Sequence, residues 1–136
     1  MARVSETNYT RSAFALGGNE TITREFTAAG DIDVKMGMVL GTISASGKLT
    51  ICKSGSTDGS EKPVAIALQE TSFTGGQTIN LTAYNAGKFD ESGVIFDGTD
   101  DFNTVVDGQT MRDLLIGNTK GIELIKIQNT SSFGGV

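Results

Sequence analysis

Glycine punctuates this chain: 18 of its 136 residues are Gly and only one is Pro, so backbone freedom is abundant while helix-favouring stretches are scarce. With many serines and threonines besides, the pattern predicts short strands joined by many turns. The length supports one modest core, hence a single domain with tails. One cysteine and no histidine exclude an intrachain disulfide and remove the usual ligands of a zinc site. The missing imidazole also removes Ser-His-Asp and Cys-His chemistry, where it takes up the nucleophile's proton near neutral pH. Eleven basic against 16 acidic side chains give a formal net charge of −5, which repels phosphate backbones and argues against a nucleic-acid partner. No apolar run has the length of a membrane span, and the opening residues lack the basic start and apolar stretch of a secretion signal. The expectation is a soluble, non-secreted protein without a membrane partner.

Residues 1–21 are mostly polar, with isolated apolar side chains at Val4, Tyr9, Phe14 and Leu16 and no periodicity. They read as a flexible N-terminal arm, either frayed or ordering on a partner as an added strand whose spaced side chains fill successive pockets. A β-rich domain is expected over residues 22–128 and a flexible tail over 129–136. Within the domain, Ile22, Arg24 and Phe26 alternate with polar neighbours as in a half-buried strand. Val39 to Ser44 and Lys48 to Cys52 flank a hairpin about Ser46-Gly47. Residues 54–60 form a loop by composition, and Pro63 opens the apolar run Val64 to Leu68, a core strand. Gly75-Gly76 precedes Thr78 to Tyr84, where Ile79, Leu81 and Ala83 share a buried face. Asn85-Ala86-Gly87 is expected to turn the chain, and Val94-Ile95-Phe96 is a further short apolar stretch. Met111, Leu114 and Leu115 have the spacing of a two-turn helix, with Asp107 or Thr110 as N-cap and Gly117 as a left-handed C-cap. Ile122 and Leu124 mark a last strand. The fold class is α+β and β-rich: a barrel-like or curled sheet of short strands with one short helix near the C-terminus and an extended N-terminal arm.

No residue pattern assigns a catalytic, cofactor or metal site. Asp97, Asp100 and Asp101 lack the alternate-position carboxylates and closing glutamate of an EF-hand, so a solvated turn is expected. Sugar hydrolysis calls for aromatic platforms, and the chain has no tryptophan and only Tyr9 and Tyr84. Gly17-Gly18, Gly75-Gly76 and Gly134-Gly135 lack the lysine and Ser/Thr of a phosphate loop and read as turns or hinges. Cys52, in an expected strand, reads as a small core residue. Lys48, Lys53, Lys62 and Lys88 form no stripe with interleaved aromatics.

One ordered series of segments is more specific. Thr57-Asp58-Gly59, Val64-Ala65-Ile66-Ala67-Leu68, Tyr84-Asn85-Ala86-Gly87-Lys88-Phe89, Val94-Ile95-Phe96, the helix Met111 to Ile116 and Gly121-Ile122-Glu123-Leu124-Ile125 follow one another as in the head decoration proteins of tailed bacteriophages. Gly37-Met38-Val39-Leu40 and Gly47-Lys48-Leu49 fit more loosely. The chain resembles that family, typified by the lambda head decoration protein, over about two-thirds of its length. It departs from the pattern in a longer N-terminal segment, in residues 97–108 and after Ile127.

The resemblance implies a capsid-stabilising protein without enzymatic activity or cofactor. It implies a homotrimer on the outer surface of the virion capsid that binds the major capsid protein of an expanded head, made in the host bacterial cytoplasm. The expected contacts on the arm are Val4, Tyr9, Phe14 and Leu16, with Ile22 and Phe26 belonging equally to the body or to the capsid interface. Tyr84, Phe89 and Phe96 are candidates for trimer contact or core. The competing class is a carbohydrate-binding or adhesion module, which the same composition permits.

Overall fold

The structure, a computed structural model, describes residues 15–125. Among these the strands are β1 (Ala15–Thr27), β2 (Ile32–Val34), β3 (Val39–Thr42), β4 (Leu49–Ile51), β5 (Pro63–Ala67), β6 (Thr71–Phe73), β7 (Thr78–Asp90), β8 (Val105–Val106), β9 (Gln109–Thr110) and β10 (Ile122–Ile125). A 3₁₀ turn covers Glu91–Gly93, and the helix α1 covers Met111–Gly117.

Five strands in the order β1-β4-β3-β5-β7 close into a small barrel, because β1 and β7 also pair with each other. The β3–β4 hairpin about Ser46-Gly47 forms as expected, with Leu40 opposite Ile51 and Thr42 opposite Leu49. Closure is asymmetric: β1 runs antiparallel to β7 from Ala15 opposite Phe89 to Thr27 opposite Thr78, yet meets β4 only at Phe26 opposite Leu49. β10 adds to β7 in parallel, with Leu124 opposite Phe89. Two small ladders, β2–β6 and β8–β9, stand apart from this sheet.

Alternation along the strands divides the apolar side chains between two cores. Phe26, Leu40, Leu49, Ala65, Leu81 and Ala83 fill the first with Phe73, whose ring meets Phe26 edge to face at 5.0 Å. Their neighbours in sequence, Val39 and Ile66, belong to the second with Cys52, Phe89, Met111, Leu114, Leu115 and Ile122. A strand buried on both faces needs no polar alternation, which explains the unbroken run at Val64 to Leu68. On β7 the expected division holds: Leu81 and Ala83 are buried, and outward-facing Thr82 shares a 2.9 Å hydroxyl contact with Thr23 across the ladder.

Three expectations need correction. The chain does not turn at Asn85-Ala86-Gly87, because β7 runs through it to Asp90. Gly87 sits at φ 110°, and a Cβ there would lie 2.6 Å from the Asn19 Cα, so this glycine permits a distorted backbone and the close approach of β1. Gly17-Gly18 is likewise no chain reversal; it lies within β1, where the pairing to β7 shifts register as bulges do. Strand structure therefore begins at Ala15, inside the segment expected to be an arm. Finally, Gly117 is the last helical residue, and the cap is Asn118 at φ −97°, whose N–H donates to the Leu114 carbonyl. Thr110 is the N-cap, its hydroxyl accepting from the Asp113 N–H at 3.2 Å. Asp107, the other candidate, has φ 52° and forms with Gly108 at φ 82° the two-residue tip of the β8–β9 hairpin, a geometry that Asp-Gly favours.

The single β1–β4 contact point makes Phe26 the residue on which barrel closure rests. Phe26→Ala is expected to lower stability by about 3–5 kcal/mol, read as a shift in the urea midpoint, whereas Thr23→Ala on the outer face of the same strand should stay within about 1 kcal/mol.

Candidate functional site

Past the point where β5 stops, β7 carries its pairing beyond the barrel. Its last residues are flanked by β1 on one side and β10 on the other, and Phe89 is the register partner of both Ala15 and Leu124. The result is a three-stranded ribbon. Its sides are tied by Lys120, whose Nζ donates to Glu20 Oε1 at 2.8 Å and whose backbone N–H donates to the Asn85 carbonyl at 2.9 Å. Among the described residues no strand pairs with the outer edge of β1 from Ala15 to Glu25. An edge of this kind presents backbone donors and acceptors to an added strand.

The sequence-selected residues divide across this architecture. Leu16 lies on the ribbon and is 37% exposed. Ile22 is half-buried against the barrel core, and Phe26 has no exposed surface at all, so Phe26 serves the body. Val4, Tyr9 and Phe14 lie outside the described residues, as does the tail 129–136.

Tyr84, Phe89 and Phe96 all join the second core. Phe89 is fully buried and meets the Tyr84 ring edge to face at 5.2 Å. Phe96 is half-buried and meets Phe102 in the same manner at 4.9 Å. Arg112 covers Phe102, its guanidinium carbon 4.6 Å from the ring centre, and grips Glu91 with two nitrogens at 2.8 and 3.2 Å. These contacts hold α1 and the loop before it against the ribbon.

The acidic cluster is occupied with loop structure. Asp100 accepts from the Ser54 N–H at 2.9 Å and from its hydroxyl at 2.7 Å, pinning the 53–56 loop. Asp101 accepts from the Asn103 N–H at 2.8 Å and supports the turn to Thr104. Among the described residues no group of three His, Cys, Asp or Glu side chains is placed to hold a metal ion.

Cys52 is fully buried with its thiol directed at the Glu61 carbonyl at 3.5 Å. Burial, followed by the negative charges of Asp100, Glu61 and Asp97, pushes this thiol up to about 12, so it stays protonated and unreactive near neutrality. An open cleft of about 590 Å³ lies where β1 and β4 diverge, between Ala28–Ile32 and Ile51, Lys53 and Asp58. Asp58 on its rim accepts from the Ser60 N–H at 3.0 Å and from its hydroxyl, which holds its carboxyl below the usual range.

Sequence reading missed some exposed apolar side chains that a partner could cover. Val105 is 61% exposed, Ile116 44% and Met36 38%. For Val105 a signal was present, since Val105-Val106-Asp107-Gly108-Gln109-Thr110 has the form of a tight hairpin. For Met36 and Ile116 exposure depends on what the body leaves uncovered, which no local pattern encodes.

A family model described as bacteriophage lambda head decoration protein D matches residues 4–108. The matched span takes in the segment before β1 and residues 97–108, both read from sequence as departures from that pattern, and stops at the tip of the β8–β9 hairpin. Among curated proteins none matches this chain.

The Cys52 environment generates a prediction in which the sign is fixed. Its pKa rises from 9.0 to about 12 on folding, so the folded state holds the proton more tightly and stability is fully present below pH 9.0, falling as the pH climbs toward 12. Urea melts at increasing alkaline pH should show this loss, and Cys52→Ala should flatten it. Thiol reagents at pH 8 should label Cys52 in urea and leave the native protein unlabelled.

Proposed function

The chain belongs to the bacteriophage lambda head decoration protein D family, and on that premise we propose that it attaches to the expanded head as a homotrimer. It ties neighbouring major capsid protein subunits together and resists the outward pressure of packaged DNA. Head decoration is a structural role, and its place is the virion capsid. We assign the protein to the outer surface of the shell, after synthesis in the host cytoplasm and without direct contact to nucleic acid.

The observation that carries this reading is one continuous match, residues 4–108, spanning both the segment before β1 and the barrel. The open edge of β1 supports it, because a partner strand laid along that edge gains main-chain hydrogen bonds without any catalytic group. A segment that orders on binding loses several kcal/mol to lost freedom. Main-chain pairing must therefore be supplemented by anchors, for which Val4, Tyr9, Phe14 and exposed Leu16 serve. A trimer touching several subunits makes later contacts intramolecular, raising overall affinity roughly a hundredfold or more where the geometry permits. Weak individual contacts are then sufficient, and specificity for the expanded shell follows if expansion brings the contact sites to the correct spacing.

Cosedimentation with expanded empty heads and with unexpanded precursor shells tests the proposal. Saturable binding to expanded heads alone is expected, at a stoichiometry of three copies per site, and removal of residues 1–14 should weaken it at least about tenfold. Failure of the full chain to bind either shell would overturn the reading and direct attention to glycan screens.

A further inference from the structure

The inward-facing rows that fill the first core end in polar residues. On β7 the row of Leu81 and Ala83 continues to Asn85, on β3 Leu40 is followed on the same face by Thr42, and on β1 Phe26 is preceded by Arg24 and Ile22, because side chains two apart on a strand share a face. The ladders hold these rows in step, with Thr42 opposite Leu49 and Arg24 opposite Leu81. At this end of the barrel they line a pocket of about 160 Å³, in which Ile22 and Val64 are apolar walls and residues 118–120, between α1 and β10, complete the lining.

Two buried polar atoms stand in this pocket without a partner. Among the described residues, Thr42 Oγ1 and Asn85 Oδ1 are the buried side-chain oxygens that make no hydrogen bond, and both residues belong to the lining. A buried polar group left unpaired is destabilising. Valine and leucine would fill the same positions without that cost, so packing alone does not account for them. The neighbouring groups of the loop are committed elsewhere: Thr119 Oγ1 donates to the Leu115 carbonyl at 2.8 Å, and Lys120 Nζ donates to Glu20. Arg24 is exposed and makes no ion pair among the described residues, so its guanidinium is available at the rim.

Charge selects the occupant. The lining includes two cations, Arg24 and Lys120, and no acidic side chain, in a chain whose net charge is −5. Arg24 and the Thr42 hydroxyl are donors, and a half-turn of the Asn85 amide presents its NH2 in place of its oxygen. A guanidinium, a hydroxyl and an amide then converge on one negative group, and charge-assisted hydrogen bonds of this kind suit a carboxylate. Volume limits its size: about 160 Å³ falls below the roughly 300 Å³ at which pockets for whole small molecules begin, and suits the end of one side chain. Position points to its source. Ile22 and Arg24 lie within the stretch of β1 whose outer edge is unpaired among the described residues, so a partner laid along that edge passes beside the pocket.

We propose that this pocket receives a carboxylate, supplied by an aspartate or glutamate side chain of the shell surface that β1 meets. The inference rests on the decoration reading above and adds a specific contact to it. A strand edge offers main-chain bonds to almost any sequence, whereas the pocket requires an acid at one position and so fixes the register of the partner.

Two readouts test the inference. In the first, sodium acetate is titrated into the full chain at constant ionic strength, balanced with sodium chloride, while backbone amide shifts are followed by NMR. Saturable shifts at Arg24, Thr42 and Asn85 are expected, and Arg24→Gln should abolish them. Shifts that do not saturate, or that spread evenly over the molecule, would overturn the pocket as a carboxylate site. In the second, Thr42→Val and Arg24→Gln are compared with the unaltered chain in binding to expanded heads and in thermal melts. Each is expected to bind at least about fivefold more weakly without melting earlier, since the Thr42 hydroxyl has no partner to lose and Arg24 is exposed. Arg24→Lys keeps the charge and should recover part of the loss. Full-strength binding by both variants would overturn the shell as the source of the carboxylate. Earlier melting of Thr42→Val would show its hydroxyl already bonded within the body through water, and would overturn the inference. Failure of the unaltered chain to bind heads would remove the decoration reading and the shell as source together, with the acetate titration still deciding the pocket.

Discussion

Strand β7 pairs with β1 along nearly its whole length, and the rest of the molecule is arranged by that pairing. Over Thr21 to Thr27 it completes the barrel wall, and over Ala15 to Glu20 it carries the two strands past the barrel. The first half encloses the core around Phe26 and Leu81, while the second supplies the sheet on which Phe89 and Ile122 meet α1. The register shifts between Ala15 and Thr21 divide these functions. They let the ribbon bend away from the barrel while its ladder continues, with Gly87 accommodating Asn19 at the bend.

How far the fold could be read from sequence depends on whether the signal was local. The β3–β4 hairpin was legible because its turn residues and both flanking alternations lie within a dozen positions, and the structure pairs Leu40 with Ile51 as that pattern requires. The helix was legible from Met111, Leu114 and Leu115 for the same reason. Glycine was misleading where it was treated as punctuation: at Gly87 the chain uses missing Cβ volume rather than a reversal, and only the proximity of Asn19, distant in sequence, distinguishes the two. The β2–β6 ladder pairs three-residue strands across a long separation, and segments that short carry too little periodicity to register.

The candidate site was legible to a lesser degree, for a related reason. Alternation tells which residues share a face, but not what covers that face. Ile22 and Phe26 were equivalent in sequence, and the structure separates them only because β4 reaches β1 at Phe26 and leaves Ile22 half-covered. Tyr84, Phe89 and Phe96 were equally ambiguous until α1 and the loop ending in Phe102 were placed over them. An open strand edge is less legible still, since it is defined by the absence of a neighbour.

On the proposed attachment, load would enter the body through β1, and the ladder decides how that load is met. A pull on the segment preceding Ala15, directed away from the barrel along β1, tends to slide that strand past β7. The interstrand bonds from Ala15 to Thr27 are then loaded together, in shear, whereas a pull across the sheet would open them one at a time. The buried Phe26 ring resists the same displacement, because moving β1 along its axis withdraws that side chain from Phe73 and from the rest of the barrel core. β10, running parallel to β7 on the other side, ends with Ile125 opposite Asp90 at the same end of that central strand. Load arriving through β1 therefore converges on β7, the strand shared by the barrel and the ribbon, and passes into the core that holds the molecule together.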